Sequence, residues 1–257
     1  MTENQWEAFC TFREQYKNLC ESWSVFGQEI IALEKEVIRE KGDTPPYSME
    51  LPVVYNKAYD EVTKDHDIHM IVIGDNPGKD EQLKKNSKYL VGQSGKIAEG
   101  FFKKHAELET DFRKNVIILN KTPLHTAKTN HLNYLKKKGS PDIKKLISES
   151  QKKVASLTAE LHKALVENSE KETFVPELWI VGYAELKDKK IFVEYRDTLR
   201  DCYKGHEEAW NKVFVYQHFS MNRFSIDLKK YMSKHEGMGI KKSLVELGKL
   251  HKSEIFA

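Results

Sequence analysis

The stretch His69-Met70-Ile71-Val72-Ile73-Gly74-Asp75-Asn76-Pro77-Gly78 decides the fold class. Its first half is a short, nearly continuous apolar run rich in β-branched side chains, the pattern of a strand buried on both faces. Its second half puts two glycines and a proline into five residues, which forces a tight turn and exposes backbone amides. A helix-like segment follows from Ser94 to Lys104. Strand, turn and helix in that order open a βαβ unit.

The same rhythm recurs downstream. Val116-Ile117-Ile118-Leu119, Leu178-Trp179-Ile180-Val181 and Val213-Phe214-Val215-Tyr216 are further apolar runs of strand length. Helical sequence separates them, from Pro141 to Asn168 and over residues 190–203, and a last helix is expected with Leu244, Leu247 and Leu250 on one face. Four strands alternating with helices predict an α/β fold, a three-layer sandwich around a central parallel sheet with right-handed crossovers. The polar run Lys136-Lys137-Lys138-Gly139-Ser140-Pro141 reads as a solvated loop before the longest helix. There is no internal repeat and no low-complexity tract.

Upstream, Trp6, Phe9, Phe12, Tyr16, Leu19 and Trp23 recur at three- and four-residue steps, and Phe26, Ile30, Leu33 and Val37 continue the stripe. That periodicity predicts helix over residues 3–41 with a break near Ser22–Ser24, a packing pair ended by Gly42-Asp43-Thr44-Pro45-Pro46. The chain therefore divides into an N-terminal helical extension, residues 1–45, and an α/β domain, residues 46–257, which an irregular arm to about Lys64 introduces.

Bulk composition excludes several classes. In 257 residues, 39% hydrophobic content is enough for a core, and a net charge of +3 leaves room for a local basic groove without demanding one. Cys10, Cys20 and Cys202 show no CxxC spacing, so neither a zinc ribbon nor an iron–sulfur cluster is expected. Met1-Thr2-Glu3-Asn4-Gln5 lacks a signal core and no apolar run is long enough to cross a membrane. A monomer of the cytoplasm, or of the nucleus in a eukaryote, is the expectation, which empties the Asn120-Lys121-Thr122 sequon of meaning.

In an open parallel sheet, ligands bind outside the carboxyl ends of the strands. The first strand ends in Gly74–Gly78, neither a Walker loop nor a GxGxxG turn, with Asp75 and Asn76 placed to orient a water or a polar ligand. Tyr89-Leu90-Val91-Gly92-Gln93-Ser94-Gly95 leads into the next helix, with Ser94 as N-cap and a phosphate site at its amides. Asn120 follows the second strand and carries both a donor and an acceptor for a base edge. Gln217-His218-Phe219-Ser220-Met221-Asn222-Arg223-Phe224 follows the fourth: His218 to donate to a developing anion, Ser220 and Arg223 for phosphate, Met221 or Phe224 as an apolar wedge. Each has an ordinary structural reading as a loop, cap or turn residue. The weight lies in the combination, because one parallel sheet gathers all of them at one edge.

Together these segments resemble the uracil-DNA glycosylase superfamily. Gly74-Asp75-Asn76-Pro77-Gly78 is similar to the GxNPG form of its first motif, found in the mismatch-specific and single-strand-selective monofunctional branches. Asn120-Lys121-Thr122-Pro123-Leu124 resembles the asparagine-led segment of the latter, and His218-Phe219-Ser220 with Met221-Asn222 resembles the closing HPS motif. Tyr89–Gly95 is similar to the segment before the second helix of the thermophilic iron–sulfur branch. The resemblance covers residues 68–230, in the family's order.

The resemblance implies a four-stranded parallel sheet, DNA as partner, a flipped-out base and cleavage of the N-glycosidic bond of deoxyuridine without metal or cofactor. It implies that Asn76 holds the attacking water, that His218 donates to the uracil oxygen, and that Asn120 reads the uracil edge and disfavours cytosine. Asp75 contributes backbone contacts and a carboxylate near the water. Gly74, Pro77 and Gly78 bind substrate, the backbone of Gly74–Gly78 and of Ser94 gripping phosphates together with Ser220, and Ser94, Ser220, Met221, Asn222 and Arg223 face DNA. Three departures stand out. Leu90 occupies the place of a base-stacking phenylalanine, with Tyr89 beside it; Phe219 replaces the HPS proline; and the cluster cysteines are absent. The expectation is a base-excision DNA glycosylase for uracil or a related damaged base. The alternative, which Leu90 and Phe219 favour, is a catalytically silent protein of that fold that binds nucleic acid or a protein partner.

Overall fold

A computed structural model of the chain describes residues 1–170 and 174–257. The N-terminal stripe forms two helices, α1 (Glu3–Trp23) and α2 (Gly27–Lys41), joined by a single 3-10 turn at Ser24–Phe26. Thr2 and Gln5 cap the first reciprocally, and Gly42 ends the second in the left-handed region at φ +58°. After the arm come β1 (Met70–Gly74), α3 (Gln93–Lys104), β2 (Val116–Asn120), α4 (His131–Lys138) and α5 (Pro141–Glu167). Then follow β3 (Glu177–Val181), α6 (Val193–Cys202), the single turn α7 (Glu207–Trp210), β4 (Val213–Tyr216), α8 (Arg223–Met232) and α9 (Ile240–Ile255).

The four strands form one parallel sheet in the order β2-β1-β3-β4, with Ile73 in register with Leu119 on one side and Ile180 on the other. Every residue of β1, β2 and β4 is buried, which is why these strands read as unbroken apolar runs. Alternate residues supply two separate cores. Ile71, Ile73, Leu119, Ile180 and Val215 pack with Phe9, Phe12 and Tyr16 of α1 and with α4, α5 and α6. Met70, Val72, Ile118, Trp179 and Tyr216 pack with α3, α8 and α9. The N-terminal helices thus share a core with the sheet. The arm covers the β2 edge, where Asn56 Nδ2 and the Tyr59 hydroxyl both donate to the Ile118 carbonyl. No helix among the described residues is long and apolar enough to cross a membrane.

Two sequence expectations change. Lys136–Lys138 is not a loop but the last turn of α4, where three cations complement the helix dipole while Leu132 and Leu135 bury the opposite face. Leu250 is 46% exposed. Six residues beyond Leu244, at 100° per residue, it falls on the far side of α9, and the buried stripe runs instead through Leu244, Leu247, Gly248, His251 and Ile255.

The chain passes from β1 to β2 on one side and then to β3 on the other. The switch point lies between the carboxyl ends of β1 and β3, where the two directions part and leave a crevice.

Candidate functional site

A cleft of about 470 Å³ opens at that point. It brings together Asp75, Asn76, Gly78, Leu90, Ser94 and Asn120 with His218, Ser220, Met221 and Arg223, from segments up to 148 residues apart. Gly74, Pro77, Tyr89 and Asn222 do not line it. Tyr89 is 1% exposed and points into the core, where its hydroxyl bonds to Tyr16 and the Val54 carbonyl. It offers no ring to a base. Gly74 and Pro77 act from behind. The place of a Gly74 Cβ would lie 2.4 Å from Asn120 Oδ1, so only glycine lets the asparagine side chain settle there.

Asn76 is oriented by its surroundings. Its Nδ2 donates to Thr126 Oγ1 at 2.9 Å and to the Leu124 carbonyl at 3.3 Å. Both lie in the loop after β2, which fixes which end of the amide is which. Oδ1 accepts no hydrogen bond among the described residues, leaving an acceptor at the cleft for a water. Behind it, His125 Nδ1 donates to the Pro77 carbonyl at 2.8 Å and its Nε2 lies 2.7 Å from the Tyr47 hydroxyl. Burial lowers the His125 pKa to about 4, so the ring is a neutral strut between the arm and the turn.

His218 is likewise set in one tautomer. The Ser220 amide donates to its Nδ1 at 3.1 Å and the Ser220 hydroxyl lies 2.9 Å from the same atom, so Nδ1 is an acceptor and the proton sits on Nε2. Burial lowers the His218 pKa, and nearby Lys121 and Arg223 push the same way against Asp75. The imidazole is a neutral donor. The backbone that makes this turn holds Met221 and Asn222 at φ +54° and +55°. Met221, 67% exposed, is the one wedge candidate, because Phe219 and Phe224 are buried with ring centroids 4.7 Å apart. Phe224 is therefore no wedge, and Phe219 in the proline's place is a core residue.

The second segment folds back sharply. An added Cβ on Gly95 would stand 1.5 Å from the Leu90 carbonyl oxygen, and Leu90 itself is left-handed at φ +50°. Arg113 holds that carbonyl through Nη2 at 2.7 Å. A non-glycine residue in this conformation is strained and persists only because its surroundings dictate it. Ser94 sits in the first turn of α3; the cap position belongs to Gly92, whose backbone is extended, and no side chain caps this helix. Its hydroxyl stays free to face the cleft.

Three residues were not legible in advance. Glu81, 7% exposed, lines the cleft and accepts the Gly78 amide at 3.2 Å and the Leu90 amide at 3.0 Å. Burial raises its pKa to about 7, against the pull of those amides and of Asn120. Asn120 is 1% exposed, and its Nδ2 has no hydrogen-bonding partner of ordinary geometry among the described residues. Lys121 is fully buried beneath the site: its Nζ donates to Asp75 Oδ1 and the Val181 carbonyl, both at 2.6 Å, and lies 3.3 Å from the Gly74 carbonyl. Burial lowers its pKa, opposed by Asp75. This ammonium ties the ends of β1, β2 and β3, and Gly182, at φ +95°, makes room for the Asp75 carboxylate. Asp75 is thereby an ion-pair partner at the cleft floor. Thr126 is the third, as the acceptor that orients Asn76.

Comparison with models of known protein families, with curated proteins and with solved structures returned no match. The site therefore stands on its own geometry. It offers one acceptor for a water, one buried amide donor, one neutral imidazole donor, and a rim of Ser94, Ser220 and Arg223. Among the described residues no group of three or more His, Cys, Asp or Glu is placed to hold a metal.

Proposed function

We propose that the protein is a DNA glycosylase of base-excision repair, hydrolysing the N-glycosidic bond of uracil or a related damaged base and acting as a monomer. The observation that carries this reading is that Asn76 Oδ1, Asn120 Nδ2 and His218 Nε2 share one cleft and none makes a protein hydrogen bond of ordinary geometry, Glu81 being the acceptor that lies near the Asn120 amide. A buried unpaired amide costs ~1–3 kcal/mol, so a ligand that satisfies it recovers that energy. An amide is too weak to deprotonate water. Asn76 positions it for a reaction in which the sugar becomes cationic and the base leaves as an anion. The neutral His218 donates where that anion forms, and such a donor contributes ~3–4 kcal/mol. Ser94, Ser220 and Arg223 suit phosphates, and Met221 suits the gap left by a flipped nucleotide.

Leu90 supports the second reading, a silent protein of the same fold that binds nucleic acid or a protein partner. An aliphatic side chain at the stacking position gives up ~1–3 kcal/mol of base stacking. Incubation with oligonucleotides carrying uracil, hypoxanthine, xanthine or mismatched thymine, single- and double-stranded, followed by alkali, separates the two. Strand cleavage at uracil is the expected outcome. No cleavage of any substrate, with retention of abasic DNA, would leave the binding reading in its place.

A further inference from the structure

Glu81 has no place in the chemistry just described, yet it is a buried carboxyl in the wall of the cleft. Each of its oxygens already takes one backbone amide: Oε2 that of Gly78, Oε1 that of Leu90. A carboxylate oxygen accepts two hydrogen bonds, so each retains one free lone pair. Asn120 is its neighbour. With Oδ1 packed over Gly74, Asn120 turns its Nδ2 toward Glu81 and the cleft, close enough to pull the carboxyl's pKa down yet in no hydrogen bond of ordinary geometry. An asparagine held this way offers a base its donor while its acceptor faces elsewhere. The acceptor next to that donor is Glu81.

We infer that Glu81 is a specificity-determining residue: its carboxylate accepts the ring N–H of a base whose adjoining carbonyl oxygen takes the Asn120 amide. The inference rests on the glycosylase reading and adds a group to it. Side by side, the carboxylate and the amide complement a lactam edge, a ring N–H next to C=O. Uracil presents that edge at N3 and O4, hypoxanthine at N1 and O6. Cytosine presents the reverse, a bare ring nitrogen against the carboxylate and an amino group against the Asn120 amide. Both contacts then become repulsive, and rejection comes from unpaired buried groups.

The test uses the full chain and free bases. Affinities for uracil and 3-methyluracil, in which the N–H is replaced, are measured by calorimetry on the wild type and on Glu81→Ala. Lys145→Ala, on the exposed face of α5 and away from the cleft, serves as a folded control that keeps the base edge intact. In the wild type the methyl group should cost ~10- to 100-fold in affinity, the range for one charge-assisted hydrogen bond. In Glu81→Ala uracil should bind more weakly by the same factor and the methyl penalty should vanish, because partner and obstacle are both gone. An equal penalty in both proteins overturns the role of Glu81, and so does no penalty in the wild type, an arm that needs no variant. Cleavage of uracil DNA by the wild type together with either result would leave the glycosylase reading standing. Failure to bind any base, with no cleavage, removes both.

Discussion

Replacing Glu81 by glutamine should change how stability depends on pH. Glu81 titrates at about 7 where an ordinary glutamate titrates at 4.5, and burial is the main cause. One pKa unit corresponds to ~1.4 kcal/mol, so ionising this side chain in the folded protein costs about 3 kcal/mol more than in the unfolded chain. The sign follows from which state holds the proton. Below the unfolded value both states are protonated and there is no cost. Between the two values the unfolded chain alone ionises, and stability is lost as pH rises; above about 7 the full cost is present. Asp75, Asp80, Glu185, His218, Lys128 and Arg223 lie near or line the same cleft, but they are common to both proteins and cancel in the comparison. Urea unfolding of wild type and Glu81→Gln between about pH 5 and about pH 8.5 should show the wild type losing ~2–3 kcal/mol relative to the variant. Only this difference in slope is diagnostic. Glutamine leaves one of the two amides without an acceptor, which offsets the curves by ~1 kcal/mol at every pH. Parallel profiles would refute the idea that the cleft holds a destabilised carboxylate.

Other perturbations follow from the same geometry. Gly95→Ala sets a methyl group against the Leu90 carbonyl, so α3 or Leu90 must move; a loss of ~1–3 kcal/mol in urea unfolding together with reduced base affinity is expected. Arg223→Ala should weaken oligonucleotide binding regardless of sequence and lower the salt dependence by ~0.7–0.9 of a log unit per log unit of salt. Because burial lowers the His218 pKa, the imidazole adds no pH dependence through the ordinary histidine range and gains its second proton only below it; a single-turnover pH–rate profile of Glu81→Gln, which lacks the carboxyl that titrates at about 7, should stay flat through that range and decline only below it.

The sheet was legible because β1, β2 and β4 are buried on both faces, and such strands have little freedom to be anything but apolar. The placement of Asn76, Asn120 and His218 at one edge followed from strand ends alone. Glu81 was not legible. In Lys79-Asp80-Glu81-Gln82 it looks like one more solvated charge, and only the fold-back of Leu90 turns it inward. Lys121 was hidden for a related reason: an ammonium next to a strand end is ordinarily exposed, and its burial depends on acceptors from the ends of two other strands, β1 and β3, at once. Aromatic residues beside a polar motif misled as well. Phe224 and Tyr89 carry the side-chain types of a wedge and a stacking ring, but their direction is set by tertiary packing, which periodicity does not encode. The run of Lys136–Lys138 suggested a loop by its polarity, although three lysines suit the last turn of a helix equally well.

The most direct measurement is single-turnover release of uracil from a single-stranded oligonucleotide by wild type, Asn76→Ala and His218→Ala. Release by the wild type, reduced ~10²- to 10³-fold in His218→Ala and severely in Asn76→Ala with both variants still folded, is the expected result. No release by the wild type, or release that neither substitution slows, would contradict the assignment of this cleft as a glycosylase active site.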